Sequence, residues 1–298
     1  MKKDTKALIF AVVAVLSWST VATSFKIALS YQTHYEMLLV ASAASLFIFT
    51  LLLCFQRKWG AVRRLTGRQW MQYAGMGLLN PVAYYLVLFK AYDLLPAQVA
   101  QPINYAWPIV LLVLLALFAG QPIPRHKYFG MLLSMGGVVL ISVGGGEMTG
   151  SALSPFGLLL AALSALLWAS YWMVNNRMKQ QTDSSVVLWV SFLVSTCVLA
   201  VGSVPMQVHY PAVEGVLASI YVGCFEMGIP FICFGMAMRM TGNPALINQL
   251  CYLSPFLSLF FIATVLGEQI LLTTYVGLVL IVAGIVFNQY AKFGVKKV

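Results

Sequence analysis

The sequence predicts an all-α integral membrane protein of ten transmembrane helices, arranged as two inverted five-helix repeats. Three observations predict this fold. The 298-residue chain is 61% hydrophobic and only 9% charged, whereas a soluble domain carries about 25% charged residues. Ten apolar stretches are long enough to cross a bilayer. The same sequence features also return after about 150 residues.

Each apolar stretch is about 20 residues long, which in a helix matches a hydrocarbon core of roughly 30 Å. The loops between the stretches are short, so the chain has no room for a separate soluble domain. We therefore expect one membrane domain, with the first repeat in residues 1–148 and the second in residues 149–298. The predicted spans are residues 6–29, 34–55, 69–92, 97–119, 127–145, 155–176, 185–204, 214–238, 243–266 and 271–291.

Matching motifs define the repeat. Leu16–Thr20 returns as Leu166–Ser170, and Gly120-Gln121 returns as Gly267-Glu268. Further matches pair Pro96-Ala97 with Pro244-Ala245, Gln101 with Gln249, and Tyr128, Gly130 and Gly137 with Tyr275, Gly277 and Gly284. Because each copy holds an odd number of spans, the second copy must enter the membrane from the opposite side. Inverted repeats of this kind are typical of secondary transporters.

The net charge of +10 follows membrane topology rather than nucleic-acid binding. With the N-terminus placed inside, all but two of the 18 Lys and Arg residues fall on cytoplasmic segments, as the positive-inside rule predicts. The exceptions, Lys26 and Lys90, lie near outer helix ends, from which their side chains can snorkel to water. We expect a multi-pass protein with both termini cytoplasmic and no nucleic-acid partner.

Polar and aromatic residues recur at helical spacing in several spans, so that each set lies on one helix face. A polar group in hydrocarbon is costly without a partner, so these faces should line a helix interface or a wet cavity. We predict a central substrate-binding cavity walled by spans 1, 3, 4, 6, 8 and 9. The alternative is that the Trp and Tyr residues mark membrane interfaces or pack helices. The predicted substrate-binding residues are Trp18, Asn80, Tyr84, Gln101, Tyr105, Trp168, Trp172, Asn248, Gln249 and Tyr252.

Glu226 is the most informative single residue, because it lies near the middle of the eighth span. A charged side chain there costs about 2.5–3.5 kcal/mol on insertion scales, so its presence is a functional hypothesis by default. We predict a role in proton coupling or in binding a substrate ammonium. The alternative is a structural carboxyl that is hydrogen-bonded within the bundle. The matching position in the first half is near Gly77, so the acid is not part of the repeated core.

Prolines and small residues mark further features of the spans. Pro81, Pro108, Pro230 and Pro255 are predicted to kink their helices, since each removes a backbone hydrogen bond. Paired kinks in the two halves favour alternating access, although proline is also common in ordinary membrane helices. Small residues on the fifth and tenth spans allow close helix approach, either within the fold or at a dimer face. The sequence is therefore compatible with a monomer or a homodimer.

The ten-span repeat, the Trp early in spans 1 and 6, and Gly267-Glu268 followed by Tyr275-x-Gly277 resemble the EamA family of the drug/metabolite transporter superfamily. Within it, Asn104-Tyr105-Ala106-Trp107-Pro108 is similar to the fourth span of the aromatic amino acid exporter branch. The resemblance implies a bacterial inner-membrane exporter that carries aromatic or other neutral amino acids. It assigns no role to Glu226.

Two other cargoes and two other classes of protein stay open as alternatives. Cationic drugs or quaternary amines fit the mid-membrane acid, whereas nucleotide sugars or sugar phosphates call for Lys or Arg in the cavity. An intramembrane enzyme is disfavoured, because the chain has no HExxH, GxSxG or P-loop motif. A passive channel would not need an inverted repeat. We expect no cofactor and no metal, and protons are the candidate coupling ion.

Overall fold

The computed structural model describes residues 3–120, 123–149, 153–177, 182–204, 212–242, 247 and 250–290. Within these ranges the chain forms helices and turns, and no β-strand. Two π-helical segments, Leu78–Ala83 and Gly223–Gly228, each join two α-helices. The α-helices are α1 (Lys3–Leu29), α2 (His34–Phe55), α3 (Trp59–Arg63), α4 (Gly67–Gly77), α5 (Tyr84–Leu94), α6 (Ala97–Asn104), α7 (Trp107–Ala119), α8 (Lys127–Thr149), α9 (Pro155–Arg177), α10 (Ser184–Ser203), α11 (Val213–Val222), α12 (Ile229–Met240), α13 (Leu253–Val265) and α14 (Leu272–Tyr290).

Eight helical stretches of the described chain are long and apolar enough to cross a membrane, counting Ala97–Ala119 and Val213–Met240 as single stretches. The predicted third span consists instead of α4, a π-helical segment and α5, because Asn80 leaves helical geometry (φ −145°, ψ 116°) just before Pro81. The described part of the ninth span is the 13-residue helix α13. The protein is therefore a helical, multi-pass membrane protein, and the count of ten spans stays a prediction.

Side-chain capping and glycines set several helix boundaries. Thr33 caps α2 and Thr66 caps α4, and in each case the residue three positions later returns a hydrogen bond to the cap. Gly120 ends α7 with φ of 64°, and Gly267 follows α13 with φ of 69°. Both residues belong to the repeated Gly-Gln/Glu motif of the sequence. The two motifs thus need the same left-handed backbone conformation, which favours glycine.

Two serines hold helix backbones together at equivalent places. Ser45 of α2 donates to the carbonyl of Gly223 (2.8 Å), and Ser195 of α10 donates to the carbonyl of Gly77 (2.9 Å). A Cβ on either glycine would collide with the facing helix backbone. Accordingly α2 packs against the π-helical segment Gly223–Gly228, while α10 packs against α4 and the segment Leu78–Ala83.

Among the described helices, α8 and α14 share the most extensive contact. Gly130 faces Gly284 and Gly137 faces Gly277, so the two helices run antiparallel with their backbones in contact. Ser134 lies between the two glycines of α8 and donates to the carbonyl of Ile281 (2.9 Å). We call this contact the glycine seam. The sequence allowed these small residues to pack either within the fold or at a dimer face. The structure shows that they pack within the chain.

The four predicted kink prolines lie at irregular points of the helices. Pro81 is inside the π-helical segment Leu78–Ala83. Pro230 lies in the first turn of α12, whose N-cap, Gly228, departs from helical geometry (φ −94°, ψ −86°). Pro108 and Pro255 lie in the first turns of α7 and α13, where a missing N–H leaves no hydrogen bond unmade. The two π-helical segments thus adjoin the proline pair that the sequence repeat relates.

Candidate functional site

Aromatic rings from α1, α5, α9 and α12 meet around Trp168. The centroid of the Trp168 ring lies 4.7 Å from that of Tyr84, 5.6 Å from that of Tyr171 and 6.1 Å from that of Phe231. Phe231 also contacts Trp18 edge-on, with ring centroids 6.5 Å apart. We call Trp18, Tyr84, Trp168, Tyr171 and Phe231 the aromatic cluster. It brings together the two tryptophans that the sequence repeat relates.

Glu226 adjoins the aromatic cluster from the π-helical segment Gly223–Gly228. The hydroxyl of Tyr85 donates to its carboxyl Oε1 (3.0 Å), and the indole N–H of Trp18 donates to its backbone carbonyl (3.2 Å). The Tyr85 side chain is fully buried, whereas Glu226 is only partly buried. π-Helical turns often occur at functional sites, because they turn a residue out of the regular helix face. Here the carboxyl lies beside the aromatic rings, where it can accept a proton or an ammonium group.

A polar chain continues from the cluster toward α6 and α9. Tyr84 donates to the Asn104 side chain (3.3 Å), and the Asn104 amide donates to Ser164 (2.9 Å). Two polar atoms nearby in sequence, Gln101 Oε1 and Trp172 Nε1, are buried without a hydrogen-bond partner in the described part of the chain. Buried polar atoms normally have partners, so the described part of the chain leaves both atoms unsatisfied.

The remaining predicted site residues are not all brought together. Asn80 is buried in the π-helical segment Leu78–Ala83. Trp172 does adjoin the aromatic cluster, since its ring centroid lies 6.0 Å from that of Trp168 and 5.8 Å from that of Tyr171, and it also stacks on Trp107 at 6.4 Å. Tyr105 is the partly buried C-cap of α6. Tyr252 instead directs its hydroxyl to Gln289 of α14 (3.5 Å). Asn248 and Gln249, with Pro244-Ala245, lie outside the described residues.

Three residues of this region were not predicted from the sequence. Tyr85 and Phe231 lack a distinctive spacing, and only the structure shows that they adjoin Glu226 and Trp168. Ser164 was not predicted either, since nothing in an apolar span distinguishes one serine as the partner of Asn104. A signal was present for Phe231, because it directly follows Pro230, one of the paired prolines.

Both lysines near the predicted outer helix ends have interaction partners within the chain. Lys26 donates to the backbone carbonyls of Tyr92 (2.9 Å) and Leu95 (3.2 Å) at the end of α5, and Lys90 pairs with Asp93 (2.6 Å). Glu268 accepts from the backbone N–H of Ala97 at the start of α6 (3.1 Å). A cation at a helix C-terminus and an anion at an N-terminus are both favourable. Lys26 and Lys90 therefore do not neutralise Glu226.

The comparisons with known sequences identify the family. The profile of the EamA-like transporter family matches residues 5–143 and again residues 155–289. The chain belongs to the EamA-like transporter family. This membership confirms the resemblance seen in the sequence, and it implies a small-molecule substrate and a membrane location.

Among curated relatives, the aromatic amino acid exporter YddG of Salmonella typhimurium is 24% identical over 296 residues, covering 94% of this chain and 95% of its own. The uncharacterized transporter YvbV of Bacillus subtilis is 25% identical, covering 72% of this chain and 70% of its own. A solved crystal structure with 21% identity covers 96% of both chains with a TM-score of 0.67, which concerns the fold alone.

Proposed function

We propose that this protein is a secondary transporter of the bacterial inner membrane that exports aromatic or other neutral amino acids by alternating access. The observation that carries the proposal is the aromatic cluster beside Glu226. Flat rings offer stacking surfaces for a ring-bearing side chain, and the carboxyl offers a partner for an ammonium group. The name of the Salmonella relative supports the same cargo class.

Paired contacts support an inverted repeat in residues 1–148 and 149–298. Ser45 and Ser195 lie 150 residues apart in sequence (195 − 45) and make the same kind of bond to the opposite half. In the glycine seam, Gly130 meets Gly284 while Gly137 meets Gly277, which is the pattern of a two-fold axis between antiparallel helices. The family profile also matches the chain twice.

Cargo enters this site from the cytoplasm, where both termini lie. Its ring stacks near Trp168 and Tyr105, and its polar end meets Gln101, with Asn248 and Gln249 as further partners. The two halves then rock to open the site outward. A proton binds the vacated Glu226 and drives the return step.

A second candidate cargo is a cationic drug or a quaternary amine. It is favoured by the charge balance of the site, because Glu226 is acidic and both Lys26 and Lys90 already have partners. The same balance disfavours nucleotide sugars and sugar phosphates, which need free cations in the cavity. The two leading cargoes differ in whether the molecule carries a carboxylate.

Transport into proteoliposomes tests the proposal. Labelled phenylalanine, tryptophan, threonine and benzyltrimethylammonium are compared, with and without a pH gradient. We expect saturable transport of the aromatic amino acids, stimulated by the gradient. Transport of the quaternary amine alone would replace the amino acid assignment with the cationic one.

Glu226→Gln tests the coupling role in the same assay. We expect transport of amino acids to lose its response to the pH gradient, because the amide cannot exchange a proton. Glu214→Gln is the matched control, since Glu214 is an exposed acid in the first turn of α11. If Glu226→Gln responds to every pH gradient as Glu214→Gln does, Glu226 is a structural carboxyl.

A further inference from the structure

A cleft between α2, the start of α10 and α12 borders the aromatic cluster only at Phe231. Its interior offers about 50 Å³ to water-sized molecules, and from there it opens to the surface. It is therefore an open surface cleft, smaller than the pockets of about 300–1,000 Å³ that bury most of a small ligand. The cleft opens at the end of the bundle that carries most of the basic residues. The lining residues that matter here are Leu52, Leu188, Phe231, Met236, Ser184 and Arg239.

The charges at the mouth of the cleft are not balanced. Asp183 caps α10 and pairs with Lys58 at 2.7 Å. Partial burial acts to raise the pKa of Asp183, but hydrogen bonds from Lys58 and Ser185 outweigh it and lower the pKa to about 2. A depressed pKa means that the pair stays intact above the usual pKa of aspartate and is lost only in strong acid. At neutral pH, Asp183 and Lys58 therefore neutralise each other.

Arg239 supplies the remaining positive charge. It is exposed in the last turn of α12, and its guanidinium donates to the hydroxyl of Ser184. Within the described ranges it has no acidic partner within 4.0 Å. A guanidinium holds five N–H donors in a planar fork that matches a carboxylate. Most of these donors remain free to bind an anion at the mouth of the cleft.

Phe231 connects the cleft with the aromatic cluster. Its ring lines the cleft and also contacts Trp18 and Trp168, at centroid distances of 6.5 Å and 6.1 Å. Phe231 is thus the member of the aromatic cluster that a molecule in the cleft would contact. The lining of the cleft is also amphipathic, because it combines the charged Arg239 with apolar side chains such as Leu52, Leu188 and Phe231.

We propose that this cleft is a second binding site, where Arg239 binds the carboxylate of an amino acid and the apolar wall holds its side chain before it passes Phe231. The proposal deepens the proposed function, on which its amino acid cargo rests. It assigns the two charged groups of a zwitterion to separate places, the carboxylate to Arg239 and the ammonium to Glu226. It also explains how an acidic central site can serve a cargo with no net charge.

Ligand-dependent thermal unfolding of the purified full-length protein tests this site without relying on transport. The probes are phenylalanine, 2-phenylethylamine, which lacks the carboxylate, and 3-phenylpropionate, which lacks the amine. A probe that binds the folded protein stabilises it by RT ln(1 + [L]/Kd), so the rise in Tm along a titration gives an apparent Kd. The variants are Arg239→Gln, Arg239→Lys and the control Arg68→Gln, which removes another exposed arginine from the basic end.

We expect Arg239→Gln to weaken 3-phenylpropionate and phenylalanine by about tenfold, as loss of a charge-assisted hydrogen bond does, and to leave 2-phenylethylamine unchanged. Arg239→Lys should recover part of the affinity, and Arg68→Gln should match the wild type. Equal Kd values for 3-phenylpropionate in Arg239→Gln and Arg68→Gln would overturn the proposal, as would a wild type that does not bind it. Arg239-dependent binding without amino acid transport would support the cleft and refute the proposed function.

Discussion

Helices contact each other through backbone atoms in the glycine seam and through large side chains in the aromatic cluster. In the seam, α8 and α14 touch through backbone atoms at Gly130, Gly137, Gly277 and Gly284. In the cluster, the ring centroids of neighbouring side chains are about 5–6 Å apart. The seam leaves no room for another atom, whereas the cluster adjoins the partly buried Glu226. The comparison indicates that the chain separates its scaffold from the proposed binding surface.

Membrane physics explains this separation. Lipid tails are as apolar as leucine, so helices associate through close packing and hydrogen bonds rather than through the hydrophobic effect. Glycines give the closest approach and therefore suit a permanent contact. Large rings with polar tips pack less closely, and they can exchange a neighbouring ring for that of a ligand. We therefore expect substitutions in the seam to affect folding, and substitutions in the cluster to affect cargo selection.

The largest expected effect follows from Gly137→Leu in the seam. Even a Cβ at this position would collide with the backbone of Gly277, and Gly137→Ala should cost about 1–3 kcal/mol as overpacking does. The larger leucine side chain should prevent α8 from packing on α14. We expect little folded protein in size-exclusion chromatography for Gly137→Leu, and a lowered Tm for Gly137→Ala.

Gly136 provides the matched control on the same helix. A Cβ at Gly136 would meet no atom within 4 Å. Alanine also favours a helix over glycine by roughly 0.5–1 kcal/mol, so Gly136→Ala should keep or raise the Tm. If Gly137→Ala is as stable as Gly136→Ala, the seam does not determine folding and the comparison fails.

A smaller and more selective effect is expected from Trp168→Ala in the cluster. Its ring contacts Tyr84, Tyr171 and Phe231, and aromatic pairs contribute about 0.5–1.5 kcal/mol each beyond burial. We expect the KM for phenylalanine to rise about tenfold, which corresponds to about 1.4 kcal/mol. The KM for threonine should change less, because threonine has no ring to stack.

Trp189→Ala serves as the control for removing a tryptophan elsewhere. Trp189 packs against Trp59 and bonds to Thr50, away from the aromatic cluster. This change should affect both substrates equally, through stability alone. Equal shifts of the two KM values in Trp168→Ala would assign Trp168 to helix packing, which is the alternative that the sequence left open.

Much of the scaffold could be predicted from the sequence, because its signals are local. Run length predicted eight stretches that the structure forms as apolar, membrane-length helices. The repeated motifs located Gly120 and Gly267, which share a left-handed conformation, and the tryptophans Trp18 and Trp168, which meet at Phe231. Each of these features depends on neighbours in sequence or on the repeat.

The site was harder to predict, since the π-helical segments change the helix register. Regular helical spacing placed Asn80 and Tyr84 on one cavity face. The π-helical segment Leu78–Ala83 has wider turns than an α-helix, so the angle between the two side chains changes. As a result Tyr84 bonds to Asn104, and its neighbour Tyr85 reaches Glu226. Lys26 was predicted near an outer helix end and Glu268 as part of the repeated motif, but their bonds to the end of α5 and the start of α6 depend on tertiary contacts.

The smallest expected effect distinguishes hydrogen bonding from close approach within the seam. Ser134 donates across the seam to Ile281, whereas Ser142 on the same helix donates to its own helix at Val138 (2.8 Å). Interhelical bonds in membranes contribute about 0.6 kcal/mol on average, so Ser134→Ala should lower the Tm slightly and Ser142→Ala should not. A larger loss in Ser134→Ala than in Gly137→Ala would mean that hydrogen bonding, rather than backbone contact, holds the seam together.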